Sequence, residues 1–416
     1  MRFSSIPSTL FQKNRTKLID LMKPGSLALV GSSSRKIRNA DQYYPYRQHS
    51  DFYYLTGINQ QESLLFISSD TNQSHAGEIL FIKKPTPKTL LWSGPGLTVD
   101  QARDLSGIEE VKWIDELDST LGKLLPRGAV LYMAGDIPVS RISEQYPDLR
   151  LSSMGEMMIR LRRVKEPEEL EAIKAACNIT RSAFGKILAI IRPGILEYEI
   201  EAEITAEFIR RGSSGHAYEP IVASGKNALI LHYVENKDRC RDGDLVLMDF
   251  GAEVNNYASD CSRTIPVNGR YSPRQREVYA AVLRVFRQAQ KMMVPGMVMA
   301  DFHHQVGELF QEEHIGLGLY SLNEAEQRSE EEALWKNYYM HGTSHSMGLD
   351  VHDPCDRTIP FEPGMVLTCE PGIYIKEEGI GIRLENDMLI TDQGALDLME
   401  DIPIEAEEIE ELIQSQ

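Results

Sequence analysis

Two stretches in the second half of the chain leave few folds open, because each sets acids among strand-forming apolar residues. The first, GDLVLMDFGAEVNNYASDCSRTIPV, covers residues 243–267. Its side chains alternate: Val246, Met248 and Phe250 face one way, and Leu247, Asp249 and Gly251 face the other. Polar Asn255 and Asn256 mark the turn of a hairpin. With Val254 and Asn255 as the loop, Glu253 pairs with Asn256 and Asp249 lies directly opposite Asp260. The two acids then share one face, with Cβ atoms about 5 Å apart. The second stretch, MVLTCEPGIYIKEEGIGIRLENDMLIT, covers residues 365–391 and turns at Glu377 and Glu378, before Gly379. That turn sets Glu370 opposite Glu385, and it gives Arg383, Glu385 and Asp387 one strand parity.

Two like charges a few ångströms apart repel by about 4 kcal/mol at an effective dielectric of 20. Four carboxylates in apolar strands therefore need a compensating cation or retained protons. Metal ions answer both hairpins at once. A nitrogen donor is available in MHGTSHSMGLDVHD, where His341, His345 and His352 fall within twelve positions. The spacing is not that of a zincin helix, because no glutamate follows the first histidine and Gly342 and Gly348 disfavour a long helix. His232, in ILHYVEN, is flanked by apolar residues, where a histidine is more often packed in the core than functional. Four carboxylates and an imidazole suit Mn²⁺, Co²⁺ or Zn²⁺, with Mn²⁺ favoured by the hard donors. Bridging carboxylates would hold two such ions roughly 3.5–4 Å apart. Cys261 and Cys369 sit next to acids on the opposite parity, which places them in the core behind the site.

The rest of the chain reads as two domains, as 416 residues lead one to expect. Residues 1–165 read as a smaller α/β domain. It opens with an amphipathic helix at 11–23, followed by SLALVGS, DFYYLTG, ESLLFI and GEILFIKK as strands. Asp70, Thr71, Asn72, Gln73 and Ser74 form a hairpin turn, further strands lie at 111–114 and 130–134, and helical material lies around 97–106. Residues 166–416 form the second, larger domain, entered at Pro167 in the first turn of a long helix. A faint repeat runs through it. Helices at 167–191 and 275–292 are each followed by a Pro-Gly turn, Pro193-Gly194 and Pro295-Gly296, then a second helix and a strand pair.

Composition excludes several classes of partner. Lys plus Arg number 44 against 62 Asp plus Glu, a formal charge of −18 that argues against nucleic acid and anionic membranes. Five scattered cysteines without a CxxC pair point to a reducing cytoplasm. No uncharged run of 18 residues predicts a membrane span, and the first residues lack the apolar core of a signal peptide.

The segments LVLMDFGAEVNNYASDCSRTIPV, HGTSHSMGLDVHD, TCEPGIYI and GIRLEND, in this order and spacing, resemble aminopeptidase P. This is the Xaa-Pro aminopeptidase family of the pita-bread metallopeptidase superfamily. YRQHSDFYYLTGINQQESLLFI resembles that family's first domain, so the likeness covers nearly the whole chain. It implies an α+β catalytic domain built of duplicated helices around a curved antiparallel sheet, preceded by the smaller α/β domain. It implies that Asp249, Asp260, His345, Glu370 and Glu385 bind two divalent ions, with Asp260 and Glu385 bridging. His232, His341, His352 and Arg383 match supporting residues, Tyr374 is a further site residue, and Glu370 handles protons. The implied reaction removes the first residue from peptides with proline second, through attack of a metal-bridging hydroxide on the carbonyl before proline. A homo-oligomer, dimer or tetramer, is implied too. Prolidase, which cleaves Xaa-Pro dipeptides with nearly the same ligands, is the near alternative. A catalytically silent peptide-binding or scaffold protein on the same fold is the distant one.

Overall fold

A computed structural model describes residues 5–70, 77–125 and 127–415. The chain divides into two units between Arg162 and Arg163. In the first unit a six-stranded mixed sheet runs in the order Val111–Trp113, Glu78–Ile82, Leu64–Ser68, Leu27–Gly31, Val130–Ala134, Arg150–Ser153. Glu78–Ile82, Leu64–Ser68 and Leu27–Gly31 pair antiparallel, and parallel strands extend this meander at both ends. Leu27, Leu29, Leu64, Phe66, Ile79, Phe81 and Leu131 form the core on one face. Helix Ser8–Leu21 buries Arg15, whose guanidinium donates to the carbonyls of Leu55 and Ser106 and to Glu78.

The segment DFYYLTG is not a strand. Ser50–Thr56 is a helix, closed by Gly57 at φ +66°. Every residue from Phe52 to Thr56 is buried, so the apolar pattern shows neither helical nor strand periodicity, and its aromatic content misleads. Asp51 in its first turn pairs with Arg162, and the Tyr54 hydroxyl donates to the carbonyl of Leu161. Of the expected turn at 70–74, residues 71–74 lie outside the described residues; Leu64–Ser68 and Glu78–Ile82 on either side pair antiparallel.

In the second unit the two long helices, Pro167–Ile190 and Pro273–Met292, start alike. Each has proline at its first position and a side chain capping its first turn: Glu169 accepts from Glu166 N–H, and Ser272 and Gln275 cap each other. Each leads through a Pro-Gly turn to a second helix, Glu197–Arg210 or Met299–Gly316. The two turns dock in the same way. Gly194 N–H donates to the Cys240 carbonyl, and Cys240 N–H donates to that of Ile195. Likewise Gly296 N–H donates to the Phe361 carbonyl, and Phe361 N–H to that of Met297. Cys240 and Phe361 each stand nine residues before an acid, Asp249 or Glu370. The faint repeat is thus a repeated piece of backbone architecture.

All named strand pairings of this unit are antiparallel among the described residues. Leu245–Asp249 lies between Ile221–Ser224 and Ser262–Pro266, with the small hairpin Glu253–Val254 and Tyr257–Ala258 beyond. Asn386–Thr391 lies between Val366–Cys369 and Gly394–Asp397, and Gly372–Ile375 pairs with Ile380–Arg383. Both long hairpins are interrupted, and the acids stand at the interruptions: Asp249 ends a strand, Glu370 follows one, and Asp260 and Glu385 fall between strands.

Candidate metal centre

The first hairpin turns one residue later than the sequence suggests. Val254 pairs with Tyr257, so Asn255 and Asn256 are the loop, at φ +50° and +64°. A two-residue turn of this hand needs positive φ at both positions, which asparagine tolerates and β-branched valine does not. Asp249 therefore pairs with Ser262, not Asp260. Asp260 lies on the same face one step along the diagonal. The two acids still converge, because the Tyr218 hydroxyl stands 2.6 Å from Oδ1 of each. Between them Gly251 is obligatory: a Cβ there would lie 1.7 Å from the Ser259 carbonyl oxygen and 3.1 Å from the Tyr218 ring.

The second hairpin keeps the expected register. Gly372 pairs with Arg383 and Cys369 with Asn386, which sets Glu370 across from Glu385. Ser262 joins the two hairpins: its hydroxyl donates to Glu385 at 2.7 Å and accepts from Arg383 Nε at 2.8 Å. Arg383 also donates to Asp249 Oδ2 at 2.6 Å and to the Tyr374 hydroxyl at 2.9 Å. That hydroxyl lies 2.8 Å from His341 Nε2, and His341 Nδ1 lies 2.8 Å from the Gly342 carbonyl. The carbonyl takes the Nδ1 hydrogen, so Nε2 accepts from Tyr374 and His341 is neutral. Burial, then the Arg383 charge, holds this imidazole down at about 3.

His345 is oriented the same way. Nδ1 meets the Ser346 carbonyl at 3.1 Å, and Nε2 is left facing Asp260 at 3.3 Å and Glu370 at 3.9 Å. Donor atoms of Asp260, His345 and Glu385 lie within 4.8 Å of one another, a cluster fit for a divalent ion. Asp249 is drawn to Arg383 and Tyr218 instead, and Glu370 stands at the edge, with His341 Nδ1 3.5 Å away.

The charges do not balance without cations. Burial, reinforced by Asp260 and Glu370, pushes Glu385 far above the usual carboxylate range. Burial takes Glu370 to about 7 against the pull of His345 and Arg383, and Asp249 to about 6 against Arg383. Burial opposes the charge on His345, but the Asp260 hydrogen bond and the Glu370 charge outweigh it and raise the imidazole to about 9. Tyr218 has one hydrogen for two carboxylates. Such a set retains protons or takes up cations, and its hard oxygens with one imidazole suit divalent metal.

The acids line a cavity of ≈410 Å³ with apolar walls of Ile221, Leu231, Val234 and Val351. His232, His341, His345, His352 and Arg383 line it as well. His232 and His352 are exposed there rather than packed in the core, and the His352 ring lies 4.3 Å from that of His345. Tyr374 is buried behind the cavity against Arg383.

Residues 171–392 match the metallopeptidase family M24, and residues 11–132 match the aminopeptidase P N-terminal domain. The Xaa-Pro aminopeptidase of Escherichia coli (strain K12) is 36% identical, over 99% of this chain and 98% of that one. The chain belongs to the aminopeptidase P family. Its fold agrees with that membership. The structure of a putative aminopeptidase P from Bacillus anthracis superposes with a TM-score of 0.92 at 32% identity, over 98% of this chain and 99% of that one. Aminopeptidase P from E. coli with the inhibitor Pro-Leu superposes with a TM-score of 0.89 at 35% identity, over 99% of both chains. The second unit is thus the pita-bread catalytic fold, preceded by the family's smaller domain, and the chain is a metal-dependent hydrolase.

Tyr218 and Ser262 touch the acids and were not singled out by sequence. Tyr218 stands alone in HAYEP ahead of the strand Ile221–Ser224, with no charge pattern around it. Ser262 reads as an ordinary strand residue; its position opposite Asp249 is the only signal, and the correct turn is needed to see it.

Proposed function

We propose that the chain is a dinuclear Xaa-Pro aminopeptidase, releasing the first residue of peptides with proline second. The observation that carries this reading is the convergence of Asp249, Asp260, His345, Glu370 and Glu385 on one cavity in a member of that family. These five residues would hold two divalent ions, with Mn²⁺ first and Zn²⁺ or Co²⁺ compatible with the same donors. Asp260 and Glu385 would be ligands shared by both. When bound, such ions supply Lewis acidity and hydroxide near neutral pH.

The side chains supply the rest. Arg383 and Tyr218 hold Asp249 in place, and Tyr374 and His341 brace Arg383 from behind. Glu370 moves the proton from water to the leaving nitrogen. His352 donates to the oxyanion that forms on the scissile carbonyl. His232 hydrogen-bonds beside the proline, whose ring lies against Leu231 and Val351. Proline brings no amide N–H, and these walls require none. The acids attract the free α-amine, which enforces removal of one residue.

No helix among the described residues is long and apolar enough to cross a membrane. A reducing cytoplasm remains part of this reading, on the scattered cysteines. So does a homo-oligomer: Leu91 and Trp92 expose 82% and 78% of their surface, which suits a protein contact.

Mass analysis of products decides the activity. The Mn²⁺-loaded chain is expected to release only the first residue from Xaa-Pro-Ala peptides, to tolerate an amidated carboxyl end and to fail on acetylated amines. Cleavage confined to Xaa-Pro dipeptides would make it a prolidase, and no cleavage of either would leave a binding protein.

A further inference from the structure

Asp387, in the strand Asn386–Thr391 and of the same parity in sequence as Arg383 and Glu385, is wholly buried and stands outside the ligand set. Its Oδ2 accepts the main-chain N–H of Asp260 at 3.0 Å and the thiol of Cys177, from helix Pro167–Ile190, at 3.4 Å. Asp260 needs that acceptor. Its neighbours spend their main-chain groups inside the hairpin: Ser259 N–H donates to the Ala252 carbonyl, and the Cys261 carbonyl accepts from Phe250. Alternate residues of an antiparallel strand turn their N–H outward, so that of Asp260 points away from its own hairpin. A buried N–H without a partner is costly, and the chain avoids this by reaching across from the second hairpin.

Directly opposite Asp387 on the ladder is Thr368. Its hydroxyl accepts the main-chain N–H of His345 at 3.1 Å and donates, at 3.5 Å, to Glu370 Oε1. One cross-strand pair therefore grips the backbones of two residues that face each other, His345 Nε2 and Asp260 Oδ2 being 3.3 Å apart.

We propose that Asp387 and Thr368 are a positioning pair that sets the spacing of Asp260 and His345 for metal. This rests on the two-metal reading above. The role belongs to the acceptor oxygens. Oδ1 of Asp387 is buried without a hydrogen-bond partner among the described residues, so a carbonyl oxygen at the Oδ2 position supplies what Asp260 needs.

Calorimetric titration of the metal-free full chain with Mn²⁺ tests the pair. Asp387→Leu and Thr368→Val are expected to raise the Mn²⁺ dissociation constant about 10–100-fold, as loss of a ligand's supporting partner does. Asp387→Asn keeps an acceptor and is expected to bind within about threefold of wild type while melting lower, since its amide group is buried unpaired. Wild-type affinity in a folded Asp387→Leu chain, or equal weakening by Asp387→Asn, would overturn the assignment. If Asp387→Leu does not fold, the near-isosteric Thr368→Val decides, and wild-type affinity there overturns it. A wild-type chain that binds no Mn²⁺ would instead overturn the two-metal reading itself.

Discussion

Tyr218 shows how tightly single residues define the centre, since one hydroxyl serves Asp249 and Asp260 at 2.6 Å each. Such crowding marks a place built for cations. We place His352 at its border: the side chain is exposed in the cavity, with its ring 4.3 Å from that of His345. His352→Ala is therefore expected to keep its metal and lose two to three powers of ten in turnover, about 3–4 kcal/mol of transition-state stabilisation. Metal analysis beside kinetics checks this. A variant that loses metal and recovers fully at high Mn²⁺ would make His352 a ligand. At this scale the acids were legible because charge inside an apolar strand run has few explanations. Tyr218 was not, because a lone tyrosine carries no pattern.

Among the elements, the second hairpin was readable because Gly379 fixes its turn, and the register then follows by counting. The first was misread by one residue because its loop was centred on Val254 and Asn255, whereas the positive φ this turn requires falls on Asn255 and Asn256 and leaves the β-branched Val254 in the ladder. Helix Ser50–Thr56 hid for another reason: a short element buried on all sides has no amphipathic period. The first long helix was plain from Pro167 at its start and the apolar stripe behind it, and the second begins two residues before the expected 275, at Pro273. Helix Glu197–Arg210 offers a test of how such an element is held. Burial works against the charge of Glu207, but hydrogen bonds from Arg211, Ser182 and Arg210 outweigh it and hold the carboxyl down at about 2. A folded value below the ordinary 4.5 means stability that is present above that pH and lost as pH falls from 4.5 toward 2. Glu207→Gln is expected to cost about 1–2 kcal/mol at neutral pH, discounted because both arginines are half exposed. Denaturant unfolding at several pH values should show the gap narrowing across that window; a constant gap would mean the charge is irrelevant.

For the whole molecule, the repeat was faint in sequence because only turns, caps and acid positions recur, while the apolar residues between them are free to vary. What the repeat builds is a site whose acids resist ionisation. Glu370 at about 7 and Asp249 at about 6 hold protons in the metal-free fold that the unfolded chain would release near 4. Raised folded values mean that metal-free stability falls as pH climbs from about 4 through 7. Mn²⁺ displaces those protons, so it is expected to raise the melting temperature by several degrees at pH 8 and clearly less at pH 5. A thermal shift independent of pH would contradict this origin of the affinity. The most direct measurement is a count of ions by native mass spectrometry as Mn²⁺ is added to the chelated chain, with activity read on the same samples. Two ions per chain at full activity is the predicted result. Saturation at one ion with full activity would contradict the dinuclear centre.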